Sequence, residues 1–402
     1  MNIRPLRILL IFLILGGSFL GWRSYHYFFD MHQPILSIVG LKAGSYVANE
    51  LNCTIVGSDS YKIANLSVWL DGKILVDCFK VNSRMVEHPF CIATKTLTNG
   101  LHTLKVEAIN ALYNKKSTRT ECSFYVDNTP LQAALIRLDT DCKVFQGRTL
   151  HLQFQVNKDI DQARVHTLSH TYPAVREAKN SPIYEAFIPI SCEESPSEHL
   201  ARIEIIDHVG ASSLLEAKFQ IVAFPFKRQQ LVHVDTAKLK VEKEVGLSEK
   251  MFEEELIQHA RQSPPQKLWQ GSFYPPIDII MVSTEYGTIR TTKERGRYMH
   301  KAVDVINQPK SVVWATQDGV IVIKNRYEHS GNTVVIDHGC GILSLFFHLD
   351  TFADIAVGDR IKRGKPLGTL GETGYAKGYH LHWEMRINNE PVDPMQWIKP
   401  NF

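Results

Sequence analysis

Several signals of common protein classes are missing from this chain of 402 residues. Its formal net charge is only +3, and no run of Lys and Arg interleaved with aromatics occurs, so no nucleic-acid partner is expected. No glycine-rich phosphate loop follows a strand at the needed spacing, and nothing suggests an organic cofactor. The helical H-E-x-x-H zinc motif is absent, which excludes a helix-based zincin. Alanine is absent before Ala43, so the apolar start carries no A-x-A-like cleavage site. No cysteine follows that start closely enough for a lipid-anchored form.

What is present points outside the cytoplasm. Residues 8–22 carry no charge; Arg4 and Arg7 precede them and Arg23 follows. Positive charge on the near side predicts that this end stays inside and the rest crosses. The run is short for a bilayer, which takes about 20 residues, and reaches that length only if extended to Phe29 with Trp22, Tyr25 and Tyr27 at the interface. Residues 1–30 therefore read as a cytoplasmic start with an uncleaved transmembrane helix, the alternative being a signal segment. The expected location is the inner or cytoplasmic membrane, single-pass, with the bulk in the periplasm or outside the cell. Six of the seven cysteines (Cys53, Cys78, Cys91, Cys122, Cys142 and Cys192) lie between that segment and residue 192, where disulfides can form, although some can serve as small buried apolar residues. Cys340 is the odd one and is not assigned to a metal.

At 44% hydrophobic residues the chain is long enough for two to four domains of about 100–200 residues each. Residues 31–130 alternate short apolar runs with turn signals. Asp71-Gly72 joins two strand-like runs, and Leu101, Leu104, Val106 and Ala108 or their neighbours alternate inward at period two. Residues 131–224 repeat the pattern in TLHLQFQV, YEAFIPI, ARIEII and EAKFQIVAF. Both stretches read as β-sandwiches, the alternative being one large all-β domain covering both. The run from Gly100 to Asn128, with His102, Ala108, Asn114, Lys115 and Val126-Asp127-Asn128, resembles the closing part of bacterial immunoglobulin-like modules. His102 is read there as structural. Residues 225–265 are charged and read as a linker and packing helix from Ser248, ended by Pro264-Pro265.

From residue 266 to 402 short strands return, with Gly358, Gly364 and Gly368 spaced as in the turns of a small β domain. The expected fold is mainly β: an N-terminal transmembrane helix, two immunoglobulin-like sandwiches and a C-terminal antiparallel β domain. Polar residues on those strands carry the chemistry. His300 and Asp304 come as HKAVD, His380 and His382 as HLH, and His348 follows LSLFF. At period two, His380 and His382 share a face. Zinc takes imidazole and carboxylate ligands in a tetrahedron, and a catalytic site keeps one position open. His300, Asp304 and His382 would fill three positions, leaving His348 and His380 unliganded beside a water. A histidine on a strand is commonly a hydrogen-bonded packing residue, so on spacing alone the outcome depends on whether these groups converge.

The same residues carry a resemblance. The region 268–400 resembles the lysostaphin/LytM-type zinc metallopeptidases. H-x-G-x-D is matched by His300 to Asp304, Y-x-H-L by Phe346 to Leu349, and the HLH signature by Gly371 to Glu384. Gly331 to Gly339, Val357 to Gly368 and Val392-Asp393-Pro394 match further runs, and Ser283 to Arg290 matches the opening segment in altered form. The resemblance implies Zn2+ on His300, Asp304 and His382, with His348 and His380 acting on the water and the oxyanion; His380 is the preferred base. It implies peptidoglycan as the substrate, cut at a cross-link or stem peptide. Ala302, Tyr286, Phe346 and Trp383 stand where the family usually has Gly, Phe, Tyr and Phe, and none removes a ligand. Glu384 shares the face of His382 and is a candidate support for it, whereas His338 and His329 read as structural and surface residues. The alternatives are an inactive cell-wall regulator or scaffold, with an unknown divisome or wall-enzyme partner, and a wall-binding or adhesion protein.

Overall fold

The computed structural model describes residues 4–136, 142–230, 250–292 and 296–399. The chain divides into two compact units, Met1–Pro130 with His208–Ala211, and Leu131–Asp207 with Ser212–Phe402. Strands dominate both, as the apolar alternation predicts.

In the first unit a helix, Arg4–Phe29, leads into a six-stranded sheet. Among the described residues no helix is long and apolar enough to cross a membrane. The transmembrane part of the expectation is therefore not supported; the uncharged run 8–22 begins on residues whose side chains lie outside the described ones. Asp71 and Gly72, both at positive φ (50° and 78°), turn the hairpin between Leu51–Leu70 and Lys73–Ile92. In strand Gly100–Asn110 the inward set is His102, Leu104, Val106 and Ala108, while Leu101 is exposed. Period two counted back from Leu104 reaches His102, not Leu101. The His102 ring is tied to Asp71 Oδ2 at 2.6 Å and to the Thr98 carbonyl at 2.7 Å, a packing role. Among the described residues Cys53, Cys78, Cys91, Cys122, Cys192 and Cys340 form no disulfide, and Cys53, Cys122, Cys192 and Cys340 are buried as small apolar residues. The mainly β character stands; the immunoglobulin-like assignment is not supported by what is seen.

The second unit opens with an eight-stranded sheet spanning residues 133–222, closed around Phe154, Val165, Ile188 and Ile203. Residues 250–262 are helical and stop before Pro264-Pro265; the expected cap, Ser248, lies outside the described residues. A ten-stranded sheet follows. Its main path is antiparallel throughout and runs Met281–Thr284, Val303–Ile306, Leu381–Ile387, Ile342–Phe352, Gly331–Asp337, Gly319–Tyr327, Arg360–Ile361. Leu381, Trp383, Val334, Ile336 and Phe346 build its core on one face. A three-stranded sheet, Arg228–Gln230 with Thr288–Thr292 and Gly296–His300, stands beside it.

The 133–222 module and the C-terminal sheet share a second core. Val175 and Phe187 of the module pack with Trp269, Phe273, Trp397 and Met385. Gln396 exchanges hydrogen bonds with the backbone of Thr149 at 2.7 and 2.9 Å, and Trp397 Nε1 donates to Thr149 Oγ1 at 3.1 Å. Arg148 pairs with Asp393, and Lys267 with the buried Glu185 at 2.5 Å. Burying each such aromatic contributes about 1.5–3 kcal/mol, so this seam joins the two more firmly than polar contacts alone would.

Candidate metal centre

Register explains the convergence of the predicted residues. Asp304 lies directly across from His382 in the pairing of Val303–Ile306 with Leu381–Ile387. On the other side of that strand Phe347 lies across from His382. His300 ends strand Gly296–His300, four positions before Asp304. His300 Nε2 and His382 Nδ1 each stand 3.0 Å from Asp304 Oδ1. One donor atom from each of the three residues falls within 4.8 Å of the others. A tetrahedral zinc with bonds of about 2.0–2.1 Å separates its ligands by roughly 3.3 Å, so the triad matches the size of such a site. Despite its approach to Asp304 Oδ1, His300 Nε2 is buried with no hydrogen-bond partner among the described residues. An orphaned buried nitrogen costs about 1–3 kcal/mol, and a cation bound there removes that cost. The Ala302 methyl is fully buried without displacing either ligand.

The surroundings tune these groups. Burial alone would raise the Asp304 carboxyl, but the His300 and His382 rings hold it well below the usual range. Arg290 also stands 3.6 Å from Asp304 Oδ2 and is itself held by Thr284 Oγ1 at 2.9 Å. Burial pushes His300 down. It works against charge on His382 as well, but Asp304 and Glu384 outweigh it and hold that ring up at about 9. His382 also stacks on Phe347, with centroids 4.9 Å apart and an interplanar angle of 4°. Glu384 Oε2 lies 3.9 Å from His382 Nε2, a charge contact and not a hydrogen bond.

His348 and His380 flank the triad. Their rings are 4.8 Å apart, and His380 Nε2 is 4.0 Å from Asp304 Oδ1. A register shift between strands Gly331–Asp337 and Ile342–Phe352 puts His348 at a positive φ of 63°, a costly conformation for a side-chain-bearing residue. The loop carrying His380 is seated by glycines: a Cβ on Gly371 would meet Asp350 N at 2.3 Å, and one on Gly374 would meet Gly331 N at 2.4 Å. His348 Nδ1 donates to the Thr373 carbonyl and His380 Nδ1 to the Gly378 carbonyl, each at 2.8 Å. In the neutral rings this leaves the Nε2 lone pairs free. Burial, together with the His382 and His380 rings, lowers His348 to about 3, so it stays neutral.

The substituted family positions also have local reasons. Tyr286 is buried, and its hydroxyl donates to the Pro391 carbonyl at 2.7 Å. Phe346 is sealed in the core, where a hydroxyl would need a partner. His338 is fully buried, its Nδ1 donating to the Asp318 carbonyl and its Nε2 accepting from Ser344 Oγ. His329 is half-buried and stacks on Tyr375. Sequence reasoning missed Arg386 and its partner Glu253: strand alternation places Arg386 on the face of His382, but no local signal points to Glu253 from the distant helix.

Comparison with known proteins agrees with this geometry. Residues 298–394 match the model of Peptidase family M23, and the chain carries an M23 domain of the LytM/lysostaphin type at its C-terminal end. DD-carboxypeptidase/endopeptidase Mpg of Neisseria meningitidis serogroup B is 38% identical over 102 residues, 25% of this chain and 23% of that protein. Peptidoglycan DD-endopeptidase ShyC of Vibrio cholerae is 31% identical over 120 residues, 30% of this chain and 28% of its own length. Murein hydrolase activator NlpD of Salmonella dublin is 29% identical over 100 residues, 25% of this chain and 26% of that protein. The chain thus spans only about a quarter of the length of these relatives, and the likeness is one of the domain.

Proposed function

We propose that this M23 domain is a zinc-dependent endopeptidase acting on the peptides of peptidoglycan, with His300, Asp304 and His382 as metal ligands. The observation that carries the reading is the approach of His300 Nε2 and His382 Nδ1 to a single oxygen of Asp304 at 3.0 Å each. A zinc ion held there would supply Lewis-acid polarisation of the scissile carbonyl. The remaining work falls to the chain. His348 and His380 present lone pairs at Nε2 within one small space. Either ring can take the proton of the attacking water as the new C–O bond forms. That proton then passes to the departing amine as the C–N bond breaks. We assign the base to His380, at 4.0 Å from Asp304 Oδ1; His348 reaches the oxyanion only as the doubly protonated ring, since its Nδ1 proton is committed to the Thr373 carbonyl. Peptidoglycan lies beyond the cytoplasmic membrane, and the basic start followed by an uncharged run supports export.

A second reading, an inactive regulator of other wall enzymes, is favoured by the likeness to the murein hydrolase activator. The complete ligand set argues for the enzyme. Digestion of purified sacculi by the zinc-loaded full chain separates the two, with products read by mass spectrometry and His382→Ala as the blank. Loss of cross-linked muropeptides with the wild type alone supports the peptidase. Bound zinc without new products from several wall chemistries makes the regulator the better reading.

A further inference from the structure

Beyond Glu384, the next residue on the His382 side of strand Leu381–Ile387 is Arg386, paired across the sheet with Leu343. Its side chain is buried, 7% exposed. Nε donates to Glu384 Oε1 at 2.5 Å and Nη1 to Asn389 Oδ1 at 2.9 Å. The outer edge of the guanidinium is taken by Glu253, with Nη1 and Nη2 donating to its two oxygens at 2.6 and 2.8 Å. Glu253 belongs to the helix 250–262, not to the sheet. That helix lays Phe252, Leu256 and Ala260 over Leu343, Leu345 and Phe347, the face that also bears His382. A cavity of about 320 Å³ opens at this junction, walled by Phe252, Glu253, Tyr327, Phe347, Glu384 and Arg386.

The two partners are held unequally. Glu384 and Asn389 fix Arg386 from within the sheet, whereas the Glu253 side chain is 48% exposed. A fixed guanidinium fork selects a planar carboxylate, and here it faces a carboxylate that the chain itself supplies. From His382 to Arg386 is four residues of strand, roughly 13 Å, the reach of about four residues of extended peptide.

We infer that Arg386 is the carboxylate-recognition residue of the substrate groove, and that Glu253 occupies the place of a substrate carboxylate until an acidic peptide displaces the 250–262 helix. This rests on the peptidase reading and gives it a substrate class: a peptide with a free carboxylate about three to four residues from the bond at the metal site. Glu253 is a built-in competitor, and the apolar contacts of Phe252 and Leu256 set how hard it is to dislodge.

The test is binding to the zinc-loaded full chain of a synthetic non-hydrolysable acidic tetrapeptide and its fully amidated twin, with hydrogen exchange followed over 250–262. Wild type should prefer the acidic form, and that form should speed exchange in the helix. Glu253→Gln should bind it about tenfold tighter, the scale of one well-formed partly exposed fork. Arg386→Gln should lose the preference for the acidic form; Arg386→Lys, which keeps the charge without the fork, should restore part of it and controls for folding. Equal affinity for both peptides in wild type and Glu253→Gln overturns the inference, as does unchanged helix exchange on binding. Because the probe is not cleaved, failure to digest sacculi would count against the peptidase reading and not against this one.

Discussion

Strand Leu381–Ile387 has two faces that share one backbone and little else. Leu381, Trp383, Met385 and Ile387 point into apolar cores and are almost fully buried. His382, Glu384 and Arg386 point the other way and form a chain of charge from the Asp304 carboxylate to the 250–262 helix. The first face holds the fold by area and shape. The second holds its groups at a cost, since each buried charge must be answered by another. The difference shows how an ordinary antiparallel strand lends rigidity to a reactive site: the apolar side chains fix the backbone, and the alternate positions inherit that precision.

This contrast can be broken from either side. The largest effect is expected from His382→Ala, which removes a proposed ligand and the ring stacked on Phe347. Hydrolysis should fall by at least about a thousandfold, the several kcal/mol a catalytic metal supplies, while unfolding of the metal-free protein stays cooperative. Zinc content by mass spectrometry and denaturant melts check both halves. Next comes Trp383→Ala on the opposite face, expected to cost about 3–5 kcal/mol of stability. Trp383→Phe should stay within about 1 kcal/mol, because the buried Trp383 Nε1 has no partner among the described residues and its loss offsets part of the cavity. A Phe variant as damaging as Ala would show that the indole nitrogen is satisfied in solution.

A smaller effect follows from His338, which burial pushes down to about 4. Its folded pKa lies below the unfolded value near 6.5, so the unfolded state binds the extra proton between these limits. Stability is complete above about 6.5 and falls by roughly 2–3 kcal/mol as pH drops towards 4. Urea titrations at several pH values should show that slope, and His338→Gln should remove its share, leaving the part that the likewise lowered His348 supplies. The smallest effect is expected from Tyr327→Phe, which deletes the 2.8 Å hydrogen bond to Glu255. It should loosen the 250–262 helix by about 0.5–1.5 kcal/mol, read as faster hydrogen exchange with the sheet unchanged.

The two faces also differ in how far they could be read beforehand. Period-two alternation in HLHWEMRI separates them at a glance, and the HKAVD and HLH motifs name the candidate ligands. The pairing of Asp304 and Phe347 with His382 is a matter of register, and register is set by contacts far apart in sequence. The bulge that turns His348 toward the site leaves no local trace. The apolar run suggests Leu101 inward, yet it lies outward because the count from Leu104 runs through His102. The tie between Glu253 and Arg386 spans 133 positions, and nothing in a charged helix announces which of its acids will find an arginine.

The aromatic seam between Phe187 and the Trp269, Phe273 and Trp397 group sets the smallest portable piece of this protein. A fragment cut at residue 266 would retain every group of the metal centre. It would also bare the surfaces that Val175 and Phe187 cover and strip the Thr149 partner from Gln396 and Trp397. Such a fragment should be sticky and poorly soluble, since large exposed apolar patches drive association. Anyone transplanting the proposed activity into another scaffold should therefore begin the graft near residue 131, well upstream of the segment the family model matches.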